Sequence, residues 1–418
     1  MGSAYPRDLA IRVLTRVLSD GEALDEAIER AWAESSAGLA PSARGWLTEV
    51  CSGTLRWKGR LDSAIDSVAL KKKPSGWLRK ALLVAAYQLI AQERTQPGPV
   101  VSETVEEVRR REGEAPAKFA NAALRRLAEH AAGWRELALP AGAKAVEAAA
   151  WASFPEWLWK QIVSDHGQDF ARAYALASLE RPAIWLRSRG NDEAPGLEPG
   201  PIPGAWRLAS GGAVTEIPGF SEGKLIVQDI SSQVLVREIG QEVRARVGSA
   251  KPTALDLCAA PGGKSVGLAW EGFQVTASDR DSPRMKLLEG TVKRTGGQIR
   301  VAGKQEVPGL PQSDLVWIDA PCTGSGILRR HPDVRWLRRP DDLKKLGPLQ
   351  LELIREGWAK VKPGGFLAYS VCSVLALEGP DLVARAALEG AQELRSWRLS
   401  PQEPPHGDGF WAVLLHKR

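Results

Sequence analysis

Short β-rich runs alternate with helical patterns and Gly/Pro turns from about residue 226 onward, and this alternation constrains the fold more than any other feature. The runs are TALDLCA, FQVTASD, QIRVAG, SDLVWID and GFLAYSVC. Such alternation predicts a doubly wound α/β domain. Ligands of these domains bind at the carboxyl ends of the strands, so we expect the functional site there.

The first strand end is the stretch LDLCAAPGGKS, residues 255–265. Its small residues let the backbone approach a ligand, and a helix that begins there points its first N–H groups outward. A phosphate loop is excluded because the residue five before Gly263 is Cys258 and not glycine. A G-x-G-x-x-G dinucleotide fingerprint is also missing. S-adenosylmethionine remains as the predicted cofactor.

Asp279 ends the next strand, sixteen residues after Gly263. A carboxylate in this place accepts hydrogen bonds from ribose hydroxyls, which suits the nucleoside half of S-adenosylmethionine. An aspartate at a strand end also commonly caps the following helix. The sequence leaves both interpretations open.

Two further strand ends carry cysteines, Cys322 in WIDAPCTGSG and Cys372 in AYSVCSV. A single buried cysteine is most often an inert small hydrophobe. Two cysteines at the same edge of one sheet, beside a glycine-rich loop, predict that both thiols lie at the mouth of the cofactor site. Asp319 adds a carboxylate three residues before Cys322.

Two sulfurs and one carboxylate match the needs of methyl transfer to carbon 5 of a cytosine. Carbon 5 is a poor nucleophile until a thiolate adds to carbon 6 and pushes electron density towards it. A base must then remove the proton on carbon 5 before the thiolate leaves. A carboxyl group at the ring edge stabilises the protonated ring nitrogen. Because the target carbon is inaccessible in a stacked helix, we expect an unpaired or extruded cytidine.

An arginine-rich segment follows Cys322 closely. We predict that it holds the phosphates that flank the target base. Its basic residues are Arg329, Arg330, Arg335, Arg338 and Arg339, with Lys344 and Lys345 beyond them. The formal net charge of +6 and the pI near 9.1 permit a nucleic-acid partner, although a solvated basic surface gives the same balance.

Residues 1–140 show helical periodicity without a competing strand pattern. The opening RDLAIRVLTRVLSDG places Leu9, Val13 and Val17 on one helical face. The region is either a bundle used only for packing or a bundle whose basic corners bind phosphates. The candidate corners are Arg56, Lys58 and Arg60, then Lys71 to Lys73, then Arg109 to Arg111.

A small α/β middle segment, residues 150–225, leads into the Rossmann-like region of residues 226–418. It contains WASFPEWLWKQIVSDHG, RPAIWLRSRGN and a Pro/Gly-rich loop, and it offers little chemistry. We interpret Trp151, Trp157 and Trp159 as core residues and not as platforms for base stacking.

Composition argues against several other classes. The four cysteines, the fourth being Cys51, lack metal-ligand spacing and lie far apart, so we expect free thiols and no metal. The longest apolar stretch, residues 81–91, is about half of a bilayer crossing and predicts a buried helix. The first twenty residues lack the apolar run of a signal peptide. We expect a cytoplasmic monomer without a membrane partner.

These motifs resemble one known family, the Sun/RsmB group of S-adenosylmethionine-dependent RNA (cytosine-5)-methyltransferases. The similarity covers nearly the whole chain and includes VQDISSQ, LDLCAAPGGKS, IDAPCTGSGILRRHPDVRW, VCSV and HGDGFWAVLLHK. RDLAIRVLTRVL, LTEVCSGTLRWKGRLD and FANAALRRL are similar to the NusB-like RNA-binding domain. The resemblance implies an all-α NusB-like domain, a Rossmann-like methyltransferase domain, and small-subunit (16S) ribosomal RNA as substrate.

The resemblance also implies residue roles. Cys372, in the Cys-Ser motif, is the nucleophile, and Cys322, in the Pro-Cys motif, helps to release the product. Asp319 touches both cofactor and base. The other implied cofactor-binding residues are Cys258, Ala259, Ala260, Pro261, Gly262, Gly263, Lys264 and Asp279.

Two positions depart from the family pattern. After the third strand the family usually has Gly-Asp for the adenine side, and here Lys304 or Gln305 stands in place of the carboxylate. After CSVL the usual acidic run is replaced by ALEGP, in which Glu378 is the nearest acid. The first departure bears on cofactor affinity and the second on the support of the active site.

Two other classes of function remain open. One is a non-catalytic NusB-like RNA-binding or antitermination factor, against which the Gly-Gly loop and both cysteines weigh. The other is an NAD-dependent oxidoreductase, against which the missing glycine fingerprint weighs.

Overall fold

The computed structural model describes residues 6–35, 39–40, 42–69, 72–189, 194–209 and 212–418. Contacts divide the chain into two compact units, which we call the helical unit (1–181 with 328–340) and the α/β unit (182–327 with 341–418). These units differ from the predicted regions 1–140, 150–225 and 226–418. The difference arises because the helices of residues 145–179 belong to the helical unit and the strands after them do not.

The helical unit, in its described part, contains helices and no strand. They are α1 (Arg7–Thr15), α2 (Leu24–Ser35), α3 (Ser42–Val68), α4 (Gly76–Ile90), α5 (Pro97–Glu112), α6 (Glu114–Glu129), α7 (Ala131–Arg135), α8 (Ala145–Ala152), α9 (Glu156–His166) and α10 (Gln168–Leu179), with a π-helical turn at Arg16–Asp20 and a short helix at Val334–Leu337. Leu9, Val13 and Val17 are buried, as the periodicity predicts. Residues 81–90 of α4 are also buried, which confirms the predicted core helix.

The α/β unit contains two sheets. The smaller is antiparallel in the order β2-β3-β1-β4: β1 (Trp185–Ser188), β2 (Glu198–Pro199), β3 (Ala205–Arg207) and β4 (Leu225–Val227). The larger has seven strands in the order β10-β11-β9-β8-β5-β6-β7. Its strands are β5 (Thr253–Asp256), β6 (Gln274–Ala277), β7 (Ile299–Val301), β8 (Ser313–Asp319), β9 (Val361–Val371), β10 (Ala391–Leu399) and β11 (Phe410–Lys417).

Strands β5 to β9 are parallel and correspond to the five predicted runs, whereas β10 and β11 add an antiparallel edge. The other described helices of this unit are α11 (Ile230–Val247), α12 (Gly263–Trp270), α13 (Ser282–Thr295), α14 (Pro340–Ala359) and α15 (Pro380–Ala386). This architecture confirms the predicted fold class of an all-α domain followed by a Rossmann-like domain.

The strand register brings the predicted site segments to one edge of the large sheet. Asp256 lies opposite both Ala277 and Trp317, and Asp319 lies opposite Ser370. Successive residues of β8 enter different cores, with Trp317 on one face and Ile318 on the other. The loops that leave β5, β6, β8 and β9 therefore begin beside one another.

The described residues contain no helix long and apolar enough to cross a bilayer. Within the same part of the chain, no three His, Cys, Asp or Glu side chains cluster as metal ligands. All four cysteines are free thiols.

Candidate active site

The loop between β5 and α12 has a backbone that glycine makes possible. Gly262 has a φ of 109°, and a Cβ there would lie 3.1 Å from Leu288 Cδ1. The loop is pinned to the end of β6 because Ala259 N donates to Ser278 O at 3.0 Å. Ala260 is buried, and Pro261 is exposed. This loop presents backbone and small side chains at the start of α12, as a cofactor loop requires.

Asp281, and not Asp279, caps the helix that follows β6. Asp281 is the N-cap of α13 and accepts from Arg284 N at 3.2 Å. Asp279 accepts from Ala260 N at 3.1 Å and from Asp281 N at 3.0 Å. Its carboxylate therefore holds the loop after β5 and is not the cap of the next helix.

Asp319 joins the loop after β5 to the end of β8. Its Oδ2 accepts from Lys264 Nζ at 2.7 Å, and its Oδ1 accepts from Ser370 Oγ at 2.9 Å. The Ser370 hydroxyl is itself fixed by Trp317 Nε1 at 3.0 Å. Lys264 Nζ also lies 5.1 Å from the ring centroid of Phe410. Lys264 and Asp319, each predicted as a cofactor-binding residue, thus form one ion pair between two predicted site segments.

The two cysteines that follow β8 and β9 are in contact. Cys322 Sγ lies 3.3 Å from Cys372 Sγ, within hydrogen-bond distance for sulfur. The hydrogen bond with Cys372, followed by burial and the charge of Cys372, raises the pKa of Cys322 well above its usual range. One thiol of the pair can lose its proton while the other remains a donor to it. The prediction that both thiols come together is therefore met by the geometry.

Asp256, at the end of β5, was not predicted as a site residue. It is fully buried, and its Oδ2 accepts from Ser265 Oγ at 2.7 Å. Its Oδ1 has no hydrogen-bond partner in the part of the chain that the structure describes. Burial raises the pKa of this carboxyl to about 7. The sequence signal that could have identified Asp256 is a carboxyl group at the end of a buried strand, directly before a glycine-rich loop.

Two of the predicted cofactor-binding residues, Cys258 and Lys304, lie in the apolar core and in an exposed turn, respectively. Cys258 packs against the apolar core between the sheet and its helices, and burial raises the pKa of its thiol. Lys304 is exposed in the 3-10 turn Lys304–Gly309 after β7. In that turn Glu306 Oε1 accepts from Gly303 N at 2.8 Å. An acidic side chain is therefore present at this turn, but it accepts a hydrogen bond from the main chain at the start of the same turn.

The arginine-rich segment belongs partly to the interior of the helical unit, which corrects the prediction that all five arginines hold phosphates. Arg335 is 1% exposed. Its guanidinium donates to four backbone carbonyl oxygens at 2.8–3.2 Å, those of Arg56, Ser153, Ser178 and Leu328. Arg329 is also buried, whereas Arg330 is half-buried and Arg338 and Arg339 are exposed. Arg335 is therefore a structural residue.

The first basic corner of the N-terminal region is likewise interior. Arg56 and Arg60 are buried, and both donate to backbone carbonyls: Arg56 Nη2 to Arg329 O at 2.9 Å and Arg60 Nε to Trp151 O at 2.7 Å. These two side chains do not form a phosphate-binding surface. Residues Arg109 to Arg111 and Lys72 to Lys73 are exposed, and Lys71 lies outside the described residues.

The interpretation of the tryptophans is confirmed for two of the three. Trp151 and Trp159 are buried and meet edge to face with centroids 6.3 Å apart, whereas Trp157 is half-buried.

The fold and this site define a Rossmann-like methyltransferase domain joined to an all-α NusB-like domain. Residues 249–408 match the family model described as 16S rRNA methyltransferase RsmB/F, and residues 5–129 match the NusB family. The chain belongs to the RsmB/F methyltransferase family. A relative from Klebsiella pneumoniae (strain 342), named ribosomal RNA small subunit methyltransferase B, is 30% identical and covers 99% of this chain and 98% of its own.

Solved structures show the same fold. The crystal structure of PH0851 is similar with a TM-score of 0.71 and 22% identity, over 99% of both chains. NSun6 from Pyrococcus horikoshii with SFG is similar with a TM-score of 0.54 and 16% identity, over 63% of this chain and 98% of that one. At these identities the similarity concerns the fold alone.

Proposed function

We propose that the protein transfers a methyl group from S-adenosylmethionine to carbon 5 of a cytidine in small-subunit (16S) ribosomal RNA, through a covalent bond between Cys372 Sγ and carbon 6. The observation that carries this proposal is the 3.3 Å contact between Cys322 Sγ and Cys372 Sγ, on the loops that follow β8 and β9. Membership of a methyltransferase family, and relatives named for ribosomal RNA, support the reaction class and the substrate.

The nucleophile forms by loss of one proton from the thiol pair. Cys372 adds as a thiolate to carbon 6 of the cytosine, and the π electrons of the double bond move to carbon 5. S-adenosylmethionine, when bound, supplies the methyl group that carbon 5 takes. The carboxylate of Asp319 faces the ring edge, where it stabilises positive charge on the ring nitrogen.

Cys322 is suited to the second half of the reaction. Before addition, its pKa is raised by the hydrogen bond with Cys372, then by burial, then by the charge of Cys372. Once Cys372 has become an uncharged thioether, its thiolate charge and the hydrogen bond that this thiolate accepts no longer hold the proton on Cys322, and that proton passes to water. A Cys322 thiolate then removes the proton from carbon 5, the bond to carbon 6 breaks, and Cys372 leaves as a thiolate.

The residues around the loop after β5 fit a nucleoside with a charged amino-acid tail. Gly262 keeps the backbone open, and Asp279 keeps lone pairs that ribose hydroxyls can share. Lys264 and Asp319 supply one positive and one negative group, while Cys258 packs against the core and Lys304 is exposed in the turn after β7. The full proposed set is Cys258, Ala259, Ala260, Pro261, Gly262, Gly263, Lys264, Asp279, Lys304 and Asp319.

The remaining exposed arginines, Arg338 and Arg339, are the proposed phosphate contacts of the arginine-rich segment, with Arg330 partly accessible. The base must leave the stack to reach the thiols, so an unpaired or extruded cytidine is the proposed target.

The test is incubation with radiolabelled S-adenosylmethionine and small-subunit ribosomal RNA from cells that lack the enzyme, followed by nucleoside analysis. Label is expected in 5-methylcytidine. The variant Cys372→Ala should lose at least about a thousandfold in rate because no covalent intermediate forms. Near-normal turnover of Cys372→Ala would contradict the mechanism, and label in another nucleoside would contradict the target atom.

A further inference from the structure

Glu378 is a buried acid whose carboxylate takes donors from three segments. It is 1% exposed and ends the 3-10 turn that follows the second cysteine. Thr323 N donates to its Oε1 at 2.7 Å, and Gln350 Nε2 donates to the same oxygen at 3.3 Å. Ser373 Oγ donates to its Oε2 at 2.6 Å, and the Thr323 hydroxyl donates to that oxygen as well. Both oxygens are therefore fully used.

These donors are the immediate neighbours of the two thiols. Thr323 follows Cys322 in the chain, and Ser373 follows Cys372. One carboxylate thus connects the loop after β8 to the loop after β9, and the two sulfur atoms lie 3.3 Å apart beside that connection.

Gln350 of α14 braces the same connection. Its Nε2 also donates to Pro321 O at 2.8 Å, so the helix fixes both the carboxylate and the residue before Cys322. The Glu378 carbonyl is itself held by Tyr369 Oη at 2.9 Å, which ties the turn back to β9. Helix α14 therefore holds one carboxylate oxygen of Glu378, and β9 holds its main-chain carbonyl.

We propose that Glu378 is a positioning residue that sets the separation of Cys322 and Cys372 and so controls the covalent steps of catalysis. This inference rests on the proposed function for its catalytic meaning. Glu378 is not a catalytic residue, because its carboxylate binds the neighbours of the thiols and does not contact the reacting atoms. The two loops are also joined directly, because Gly326 N donates to Cys372 O at 3.0 Å and Ser325 Oγ lies 2.8 Å from Ser373 Oγ. Removal of the carboxylate should therefore not free the loops, but it should let the segment of Cys322 and Thr323 shift relative to Cys372.

The charge of Glu378 also acts on the pKa of Cys322, and this effect can be tested separately from the positioning of the loops. After the hydrogen bond with Cys372, burial and the charge of Cys372, the charge of Glu378 is a further cause that raises the pKa of Cys322. Glu378→Gln removes the charge and keeps the shape, since the amide can accept from Thr323 N and donate to the two hydroxyls. Glu378→Ala removes both.

Thiol crosslinking of the full-length protein measures the separation without any methyl transfer. Dibromobimane becomes fluorescent when both of its arms have alkylated thiols, and peptide mapping identifies the pair. The wild type should join Cys322 to Cys372. Glu378→Ala should slow this crosslink at least about tenfold relative to the wild type. The rate of Glu378→Gln should stay within about twofold of the wild-type rate, and the exposed control Asp381→Ala should leave the rate unchanged. Cys322→Ser supplies the blank.

Folding is checked by circular dichroism and thermal unfolding of each variant. If Glu378→Ala does not fold, Thr323→Ala is the second variant, since it removes one donor and should slow the crosslink by a smaller factor. A folded Glu378→Ala, or Thr323→Ala in its place, that crosslinks at the wild-type rate would overturn the proposal.

Two readouts distinguish positioning from general structural support. The pH profile for alkylation of Cys322 should move to lower pH in Glu378→Gln, and an unmoved profile would contradict the charge effect. In methylation assays Glu378→Ala should lower kcat about a hundredfold with S-adenosylmethionine binding unchanged, and Glu378→Gln should recover most of it. A wild type that methylates no RNA but crosslinks as expected refutes the proposed function and leaves the placement by Glu378 standing.

Discussion

In the described residues, the buried charges of the helical unit are mostly arginines, whereas those of the α/β unit are mostly carboxylates. The first group is Arg7, Arg56, Arg60, Arg329, Asp333 and Arg335, and the second is Arg187, Asp256, Asp279, Glu378 and Asp408. Two of the arginines, Arg60 and Arg335, donate to backbone carbonyls at helix ends, which otherwise lack partners. Two of the carboxylates, Asp279 and Glu378, instead accept from loops at strand ends.

This difference indicates that the buried arginines support the fold of the helical unit, whereas the buried carboxylates support the loops of the candidate active site. The Arg335 guanidinium, which donates to four carbonyls, is buried and therefore inaccessible to an RNA phosphate. The loops held by the carboxylates carry glycine, thiols and an ion pair, all of which face the edge where ligands of such sheets bind. Substitution in the first group should therefore change stability at any pH, and substitution in the second should change catalysis or the pH dependence of stability.

The largest expected effect on stability follows from Arg335→Met. The substitution leaves four buried carbonyl oxygens without their donor, so we expect a loss of at least about 3 kcal/mol in the free energy of unfolding. Urea unfolding measures it. The matched control is Arg338→Met in the same segment, which is exposed and should change stability by less than about 0.5 kcal/mol. Equal effects of the two variants would break the comparison.

The next effect concerns Asp256, whose pKa of about 7 in the folded protein lies above the ordinary value of 3.8 because the group is buried. The folded state therefore holds this proton between about pH 4 and pH 7, and the stability that it contributes at low pH is lost as the pH rises through this range. Between pH 5 and pH 8 the stability advantage of wild type over Asp256→Asn should fall by about 2 kcal/mol. Urea unfolding at both pH values that gave a constant difference would contradict the raised pKa.

The sequence predicted most of the α/β unit because β-rich runs and helical patterns alternate there with clear turns. Five parallel strands, the glycine loop and the two strand-end cysteines all followed from local pattern and the rule for strand ends. The antiparallel strands β10 and β11 were not predicted as part of the sheet.

The sequence could not predict in the same way which arginines are buried in the helical unit and which are exposed. An arginine that caps buried carbonyls and one that binds phosphate look alike in sequence, and only the fold shows that residues 328–340 belong to the helical unit. The distinction between Asp279 and Asp281 also depends on geometry, since either aspartate satisfies the pattern of a helix cap. The contacts of Glu378 with Thr323 and Gln350 join residues distant in sequence, which local periodicity does not report.

The central claim is that Cys372 and Cys322 share one covalent reaction, with attack by the first and release through the second. The most direct measurement is incubation of Cys322→Ala with S-adenosylmethionine and the ribosomal RNA substrate, followed by a denaturing gel that resolves RNA–protein adducts. We expect an adduct to accumulate in this variant, to be absent from the double variant with Cys372→Ala, and to turn over in wild type. Full methylation by Cys322→Ala with no trapped adduct would show that another group removes the proton and would contradict the account.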